Sequence, residues 1–218
     1  FDNIPNNTSG FTGDGKQNLF QNNKRFKMVK KRLSSDSPGS IEKAATILAN
    51  NGIIIYPTDT LYGFGCDATN EKAIIKLNKL KNRTSPMSVL APDKETVSGW
   101  MDIPENEKTL PLEKMVGATT IVVPVKEGIV HPLIQGENHS LGIRIPNHPF
   151  CDQLSMEFKN PITTTSVNRK GVPPMTDPEK IIEEFENEID LFLEDGIIEG
   201  KGSTVYKYEN GALKILRL

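Results

Sequence analysis

The 218-residue chain sets 26 Lys and Arg against 28 Asp and Glu, a formal net charge of -2, with 36% hydrophobic and 25% charged residues. That balance excludes a wholly disordered or membrane-embedded chain and argues against a protein whose main work is coating nucleic acid, which usually needs a strongly basic surface. No run reaches the roughly 18 uninterrupted apolar residues of a membrane span, the amino terminus lacks the apolar core of a secretory signal, and Cys66 and Cys151 have neither disulfide nor zinc spacing, so one soluble domain in the cytoplasm or an organelle matrix is expected.

Residues 1–33 are rich in Asn, Gly and Lys, and Phe1, Phe11, Leu19, Phe20 and Phe26 follow no helical or alternating period. The reading is a mobile extension: a native arm, part of an organelle-targeting segment, or added sequence. Its basic run, Lys27, Lys30, Lys31 and Arg32, reads as a solvated charge run rather than an RNA site. An ordered domain over 34–218 begins at the S-P-G-S cluster, where Ser40 is expected to cap a helix with Ile41, Ala44, Ala45 and Leu48 on one face and Gly52 at its end. Residues 53–56 read as a buried strand stopped by Pro57. Asn70 caps a second helix, with Ala73, Ile74, Leu77 and Leu80 inward and Lys72, Lys76 and Lys79 outward. Strands are expected over 120–125, 141–145 and 162–165, and Pro178 opens a helix through Ile181, Ile182, Phe185 and Ile189. The Asn210-Gly211 pair between two alternating runs predicts a type I′ hairpin. Together these elements predict an α/β (α+β) fold, a twisted mixed β-sheet with helices packed on it.

Gly63, Gly65 and Ala68 in G-F-G-C-D-A imitate a dinucleotide fingerprint. Yet P-T-D-T-L-Y separates them from the strand, and no acidic residue ends a second strand about 20 positions on. His131, His139 and His148 form no H-E-x-x-H pair and read as surface or loop residues. G-x-S-x-G and P-loop motifs are absent from the sequence.

Five polar clusters remain, placed where strands end and α/β sheets build ligand sites. P-T-D-T-L-Y-G-F-G (57–65) offers two threonines, one acid and glycines for close approach, against the plain alternative of a turn. K-N-R-T-S places Lys81, Arg83 and Ser85 at a helix end, where they suit phosphate oxygens or mere solvation. S-L-G-I-R-I-P-N-H-P sends Arg144 out of an apolar strand, and a charge there needs an anionic partner, whether a ligand or a structural salt bridge. T-T-S-V-N-R-K-G-V-P-P-M-T (164–176) is dense in donors and acceptors, with Ser166 and Asn168 just past a strand. Ser203 and Arg217 occupy the two arms of the terminal hairpin.

In this order and approximate spacing, P-T-D-T-L-Y-G, the K-x-R at Lys81 and Arg83, R-I-P-N-H-P, S-x-N at Ser166 and Asn168, and S-T-V with I-L-R resemble the threonylcarbamoyl-AMP synthase family, the YrdC-like domain, over about residues 36–218. The resemblance implies a YrdC-like fold with helices packed around a concave cavity, acting as a catalytic domain over 34–218. It implies a nucleotidyltransferase that converts L-threonine, bicarbonate and ATP into threonylcarbamoyl-AMP and pyrophosphate for the threonylcarbamoyladenosine modification of tRNA. Thr60, Arg144, Ser166 and Ser203 would hold threonine. Arg83, Ser85, Ser140, Asn168, Thr176 and Arg217 would contact ATP. Lys81, with Arg83, would stabilise charge at the carbamate or α-phosphate. Magnesium would accompany ATP without a dedicated protein metal site. Downstream tRNA threonylcarbamoyl transferase proteins and weak tRNA contact complete the implied partners, with no membrane.

Where the family commonly shows S-x-N-x-S-G, this chain has S-V-N-R-K-G, with Lys170 in place of a small hydroxyl residue. The segment after Arg83 is short, which loosens the placement of Ser85. The sequence stops at Leu218, so the shorter form without the extra carboxyl-terminal domain of longer members is expected. A paralogue without threonine activity and a non-catalytic RNA-binding module are the rival readings. Replacing Arg144 by Ala is expected to weaken threonine binding and leave the fold intact.

Overall fold

In the computed structural model, residues 31–84 and 86–218 are described; Ser85, Lys27, Lys30 and the rest of the extension through residue 30 lie outside the described residues. The strands are β1 (Arg32–Ser34), β2 (Ile54–Tyr56), β3 (Gly63–Gly65), β4 (Ser88–Leu90), β5 (Thr119–Pro124), β6 (Ser140–Arg144), β7 (Ile162–Ser166), β8 (Leu191–Glu194), β9 (Thr204–Glu209) and β10 (Ala212–Arg217). The helices are α1 (Ser40–Ala49), α2 (Glu71–Lys81), α3 (Lys94–Trp100), α4 (Thr109–Lys114), α5 (Pro149–Phe158) and α6 (Pro178–Phe185). Among the described residues the strands form one mixed sheet in the order β1-β8-β2-β3-β7-β4-β6-β5-β9-β10.

Local chemistry accounts for most of these elements. Asn70 Oδ1 accepts from the Ala73 N–H at 3.0 Å and starts α2. Asp177 does the same for α6, taking the Glu179 N–H at 2.9 Å. Asn210 (φ 49°) and Gly211 (φ 79°) both take positive φ between β9 and β10, as a type I′ turn requires. Ser40 does not cap its helix as expected. It is the first helical residue behind Gly39 (φ 78°), and its hydroxyl donates to the Ser35 carbonyl at 2.7 Å.

The boundary of the extension also moves. Arg32 and Leu33, assigned above to mobile chain, lie in β1, parallel to β8. Arg32 is no solvated charge: its Nε donates to Glu194 at 2.8 Å and its Nη1 pairs with Glu179 at 2.8 Å. A three-residue edge strand is too short to show a period, and its partner lies 162 residues further along the chain.

Each face of the sheet has its own core. On one face, Ala73, Ile74, Leu77 and Leu80 of α2 and Ile181 and Phe185 of α6 pack with Phe64, Val89, Ile121, Ile143 and Phe192. On the other, Ala44 and Leu48 of α1 and Phe150, Cys151 and Leu154 of α5 pack with Ile54, Tyr56, Leu90, Ile162, Leu191 and Leu193. Side chains alternate along a strand, so Ser88, Thr164, Ser166 and Arg144 share the face of Leu90 and Ile162. Helices α1 and α5 cover half of that face, and the other half is left open.

Gly63 and Gly65 sit in β3, in mid-sheet between β2 and β7, not at a helix amino terminus. A Cβ on Gly65 would stand 2.7 Å from Cε1 of the buried Tyr56 ring. Gly65→Ala should therefore cost about 1–3 kcal/mol through overpacking, read as a lower urea midpoint at unchanged m-value.

Candidate active site

The open half of the sheet face floors a cavity of about 420 Å³. Its wall includes Thr58, Thr60, Arg83, Ser88, Thr120, Arg144, Thr164, Ser166, Ser203 and Arg217. The register explains why residues so distant in sequence meet. Ser88 pairs with both Gly142 and Thr164 across β4, β6 and β7, while Thr120 and Arg217 both pair with Val205. A Cβ at Gly142 would stand 2.4 Å from Ser88 Oγ, so the glycine leaves room for that hydroxyl on the floor.

At one end Arg144, 5% exposed, donates from Nη1 to Thr60 Oγ1 at 2.9 Å and from Nη2 to Asp59 Oδ1 at 2.5 Å. Asp59 Oδ2 also accepts the Asn147 N–H at 3.0 Å. The salt bridge offered above as the structural alternative is thus present, and the Arg144 Nε is buried without a hydrogen-bond partner. Beside it, Thr120 Oγ1 lies 2.7 Å from Ser203 Oγ, and Arg217 Nη2 donates to the Ser203 carbonyl at 2.9 Å.

At the other end Arg83 donates from Nη2 to the Pro86 carbonyl at 2.9 Å, with its Nε buried and partnerless. Burial pushes its guanidinium below the ordinary value. The terminal nitrogens of both arginines keep N–H groups beyond these bonds, and an anionic ligand is the chemistry such donors suit.

Lys81 departs from its expected place. It lies at the last turn of α2, 2% exposed, and is not among the cavity-lining residues. Its ammonium donates to the Ser166 carbonyl, to the Asn168 carbonyl at 3.2 Å and to Asn168 Oδ1 at 3.1 Å. An ammonium has three donors, so all are engaged, and contact with reacting groups would require the 166–168 turn to release one oxygen. Burial, reinforced by the neighbouring Arg83 charge, pushes its pKa from 10.5 down to about 8.

The cavity therefore gathers Thr60, Arg83, Arg144, Ser166, Ser203 and Arg217, and holds Asn168 one layer back through its bond from Ser166 Oγ at 2.8 Å. Ser140 and Thr176 are not brought into the wall. Ser140 shares the face of Gly142 and Arg144 but lines a separate concavity with Val122, Pro124 and Lys207, and the Thr176 carbonyl accepts the Ile198 N–H at 3.2 Å. Sequence reasoning gave no role to Asp59, Thr120, Ser88 or Thr164. Asp59 was visible as the acid inside P-T-D-T, whereas the others depend on strand register. Among the described residues, no group of three His, Cys, Asp or Glu converges as metal ligands, and no helix is long and apolar enough to cross a membrane.

A twisted mixed sheet, half of one face covered by helices and half open as a basin of arginines and hydroxyls, defines an α/β protein built to hold small anionic ligands against a sheet. A family model described as Sua5/YciO/YrdC, telomere recombination, matches residues 46–218. The chain belongs to the Sua5/YciO/YrdC family. It is 30% identical over 167 residues to a threonylcarbamoyl-AMP synthase of Photobacterium profundum, covering 74% of this chain and 87% of that one. It is 32% identical over 181 residues to the synthase of Bacillus subtilis, covering 80% of this chain and 50% of that one. The structure of P. abyssi Sua5 complexed with L-threonine superposes with a TM-score of 0.74 at 27% identity, over 82% of this chain and 53% of that chain. E. coli YciO, at 21% identity and a TM-score of 0.76 over 85% of this chain and 92% of that one, shares the fold. This chain thus spans about half the length of the B. subtilis and P. abyssi relatives and most of the P. profundum one.

Proposed function

We propose that this chain is a threonylcarbamoyl-AMP synthase, a nucleotidyltransferase that converts L-threonine, bicarbonate and ATP to threonylcarbamoyl-AMP and pyrophosphate. The observation that carries the reading is the convergence of Arg83, Arg144 and Arg217 with Thr60, Ser166 and Ser203 on one open sheet face. The carbamate oxygen of N-carboxylated threonine attacks the α-phosphorus of ATP, a new P–O bond forms, and the bond to pyrophosphate breaks. Negative groups must be brought together, so positioning and fixed cations supply most of the rate.

Thr60, Arg144 and Ser203, with Ser166, hold the threonine, and the Arg144 guanidinium, whose bonds to Thr60 and Asp59 leave an N–H on each terminal nitrogen, takes its carboxylate. Arg83 and Arg217 face the nucleotide, with Ser140, Thr176 and Ser85 completing its contacts once it is bound. Lys81 and Asn168 hold the turn that carries Ser166. Magnesium enters with the triphosphate as part of that substrate. The product is consumed by a tRNA threonylcarbamoyl transferase, so such proteins, and weak contact with tRNA itself, are the proposed partners. Two buried free thiols suit a reducing compartment, and the cytoplasm or an organelle matrix is the proposed location.

Pyrophosphate release from ATP with bicarbonate, compared with L-threonine, L-serine and no amino acid, tests the reading. Release is expected to need threonine and bicarbonate, and to fall at least tenfold in Arg217→Ala, an exposed position where the fold tolerates the change. Release indifferent to the amino acid would overturn it.

A further inference from the structure

Arg169 follows directly on Ser166 and Asn168, at the position that S-x-N-x-S-G leaves open. Its Nε donates to Glu184 of α6 at 2.9 Å, and its Nη2 pairs with Glu188 just beyond that helix. The guanidinium carbon lies over the Phe185 ring, 4.6 Å from its centroid. The plain reading is a surface ion pair, which usually contributes little. One bond does not fit that reading: Nη1 also donates to the Leu80 carbonyl at 2.8 Å.

Leu80 stands in the last turn of α2, where carbonyls lack helical partners. The Asn82 and Arg83 N–H groups take those of Lys79 and Asn78, each at 3.1 Å, and Arg169 takes that of Leu80. The next residue, Lys81, reaches the other way, its ammonium donating to the Ser166 and Asn168 carbonyls. The turn and the helix end therefore clasp each other, each cation binding backbone beside the other cation. Two buried rings link them: Phe185 meets Phe64 edge-on at 5.1 Å between centroids, and the Lys81 Nζ lies 5.2 Å from the Phe64 centroid. Within the turn, the Arg169 carbonyl accepts the Val172 N–H and the Asn168 Nδ2, both at 3.1 Å. Side chain and main chain of this one residue thus tie the turn to α2 and α6.

Resting on the synthase reading, we propose that Arg169 is a positioning residue: anchored on Glu184 and Glu188, it braces the 166–168 turn against α2 and so fixes the Ser166 hydroxyl in the active-site cavity. Lys81 gives the turn one support and Arg169 supplies the second. A planar fork suits the task, because from one place over the Phe185 ring it serves the Leu80 carbonyl and both carboxylates. Misplacing a substrate-holding group by about 1 Å is enough to slow turnover markedly, so a loosened turn shows in the chemistry before it shows in the fold.

Hydrogen exchange and turnover of the whole chain test this together. Arg169→Ala should speed exchange of the Val172 and Met175 amides, which bond to the Arg169 and Val167 carbonyls, by about tenfold. It should lower threonine-dependent kcat about tenfold and keep threonine affinity within about threefold. Arg32→Ala is the control. Arg32 likewise pairs with two glutamates, Glu179 and Glu194, and lies near a phenylalanine ring, Phe192, but does not line the cavity. It should leave both readouts within about twofold. Should Arg169→Ala fail to fold, Glu184→Gln/Glu188→Gln frees the guanidinium without altering the turn and reads the same two quantities. Equal effects in Arg32→Ala would show only general destabilisation and overturn the proposal, as would unchanged exchange or unchanged kcat in the variant that frees the turn. Faster exchange there, with no threonine-dependent release even in the unaltered protein, would keep the brace and remove the synthase reading instead.

Discussion

Arg144→Ala should raise the dissociation constant for L-threonine by about 100-fold, the effect of losing charge-assisted hydrogen bonds to a carboxylate. It should also destabilise the fold by on the order of 3 kcal/mol, because the substitution strands Asp59 as a largely buried carboxylate without its cation. That second effect departs from the expectation from sequence that the fold stays intact, and it follows from the Asp59 pairing. The two losses separate in the double variant Asp59→Asn/Arg144→Ala. Removing both charges should restore most of the unfolding free energy, since the paired groups couple, yet leave threonine binding weak. Urea unfolding and threonine calorimetry on both variants check this. Wild-type threonine affinity in the double variant would remove Arg144 from the binding site.

Lys81 is expected to show pH effects of opposite sign on stability and on turnover. Its folded pKa of about 8 lies below its ordinary 10.5, because burial disfavours the charged form. Between those values the unfolded chain binds the proton that the folded chain has released. Stability should therefore rise with pH through that window. Turnover should fall above pH 8, because the neutral amine keeps only two donors for the three oxygens of Ser166 and Asn168. Lys81→Met, of similar volume, should abolish both pH effects and lower kcat by about 100-fold through the loosened 166–168 turn, with a smaller change in threonine affinity. A variant with wild-type kcat and a pH profile still breaking near 8 would show that Lys81 does not control the turn.

Much of this arrangement was legible in local chemistry. Asn70, Pro178 and the Asn210-Gly211 pair mark their elements because cap and turn geometry depends on a few neighbouring residues. Residues 162–165 and 120–125 read as strands through their β-branched content. The short strands β1, β3, β4 and β8, of three or four residues, carry too little period to be seen, and each is held by partners far along the chain. Ser40 shows the limit of residue type as a signal. A serine before an apolar run suits a cap, but here the Ser35 carbonyl lies within reach and takes its hydroxyl.

By itself, the sequence determined the mixed α/β class, the Asn70 cap and the terminal hairpin, and the set of arginines, hydroxyls and the S-x-N turn from which the site is built. The tertiary structure alone decided which of them share a cavity. Strand register brings Thr120, Val205 and Arg217 together and puts Ser88 between Gly142 and Thr164, while Ser140, paired with Pro124, falls outside the cavity wall. It also decided that Arg144 is already paired with Asp59 and that Lys81 lies beneath the wall rather than in it. The reason is physical. Caps and turns are set by dihedral angles and hydrogen bonds within a few residues. The partner of a buried charge is set by pairings between strands tens of residues apart, where a shift of one residue would turn every side chain to the opposite face.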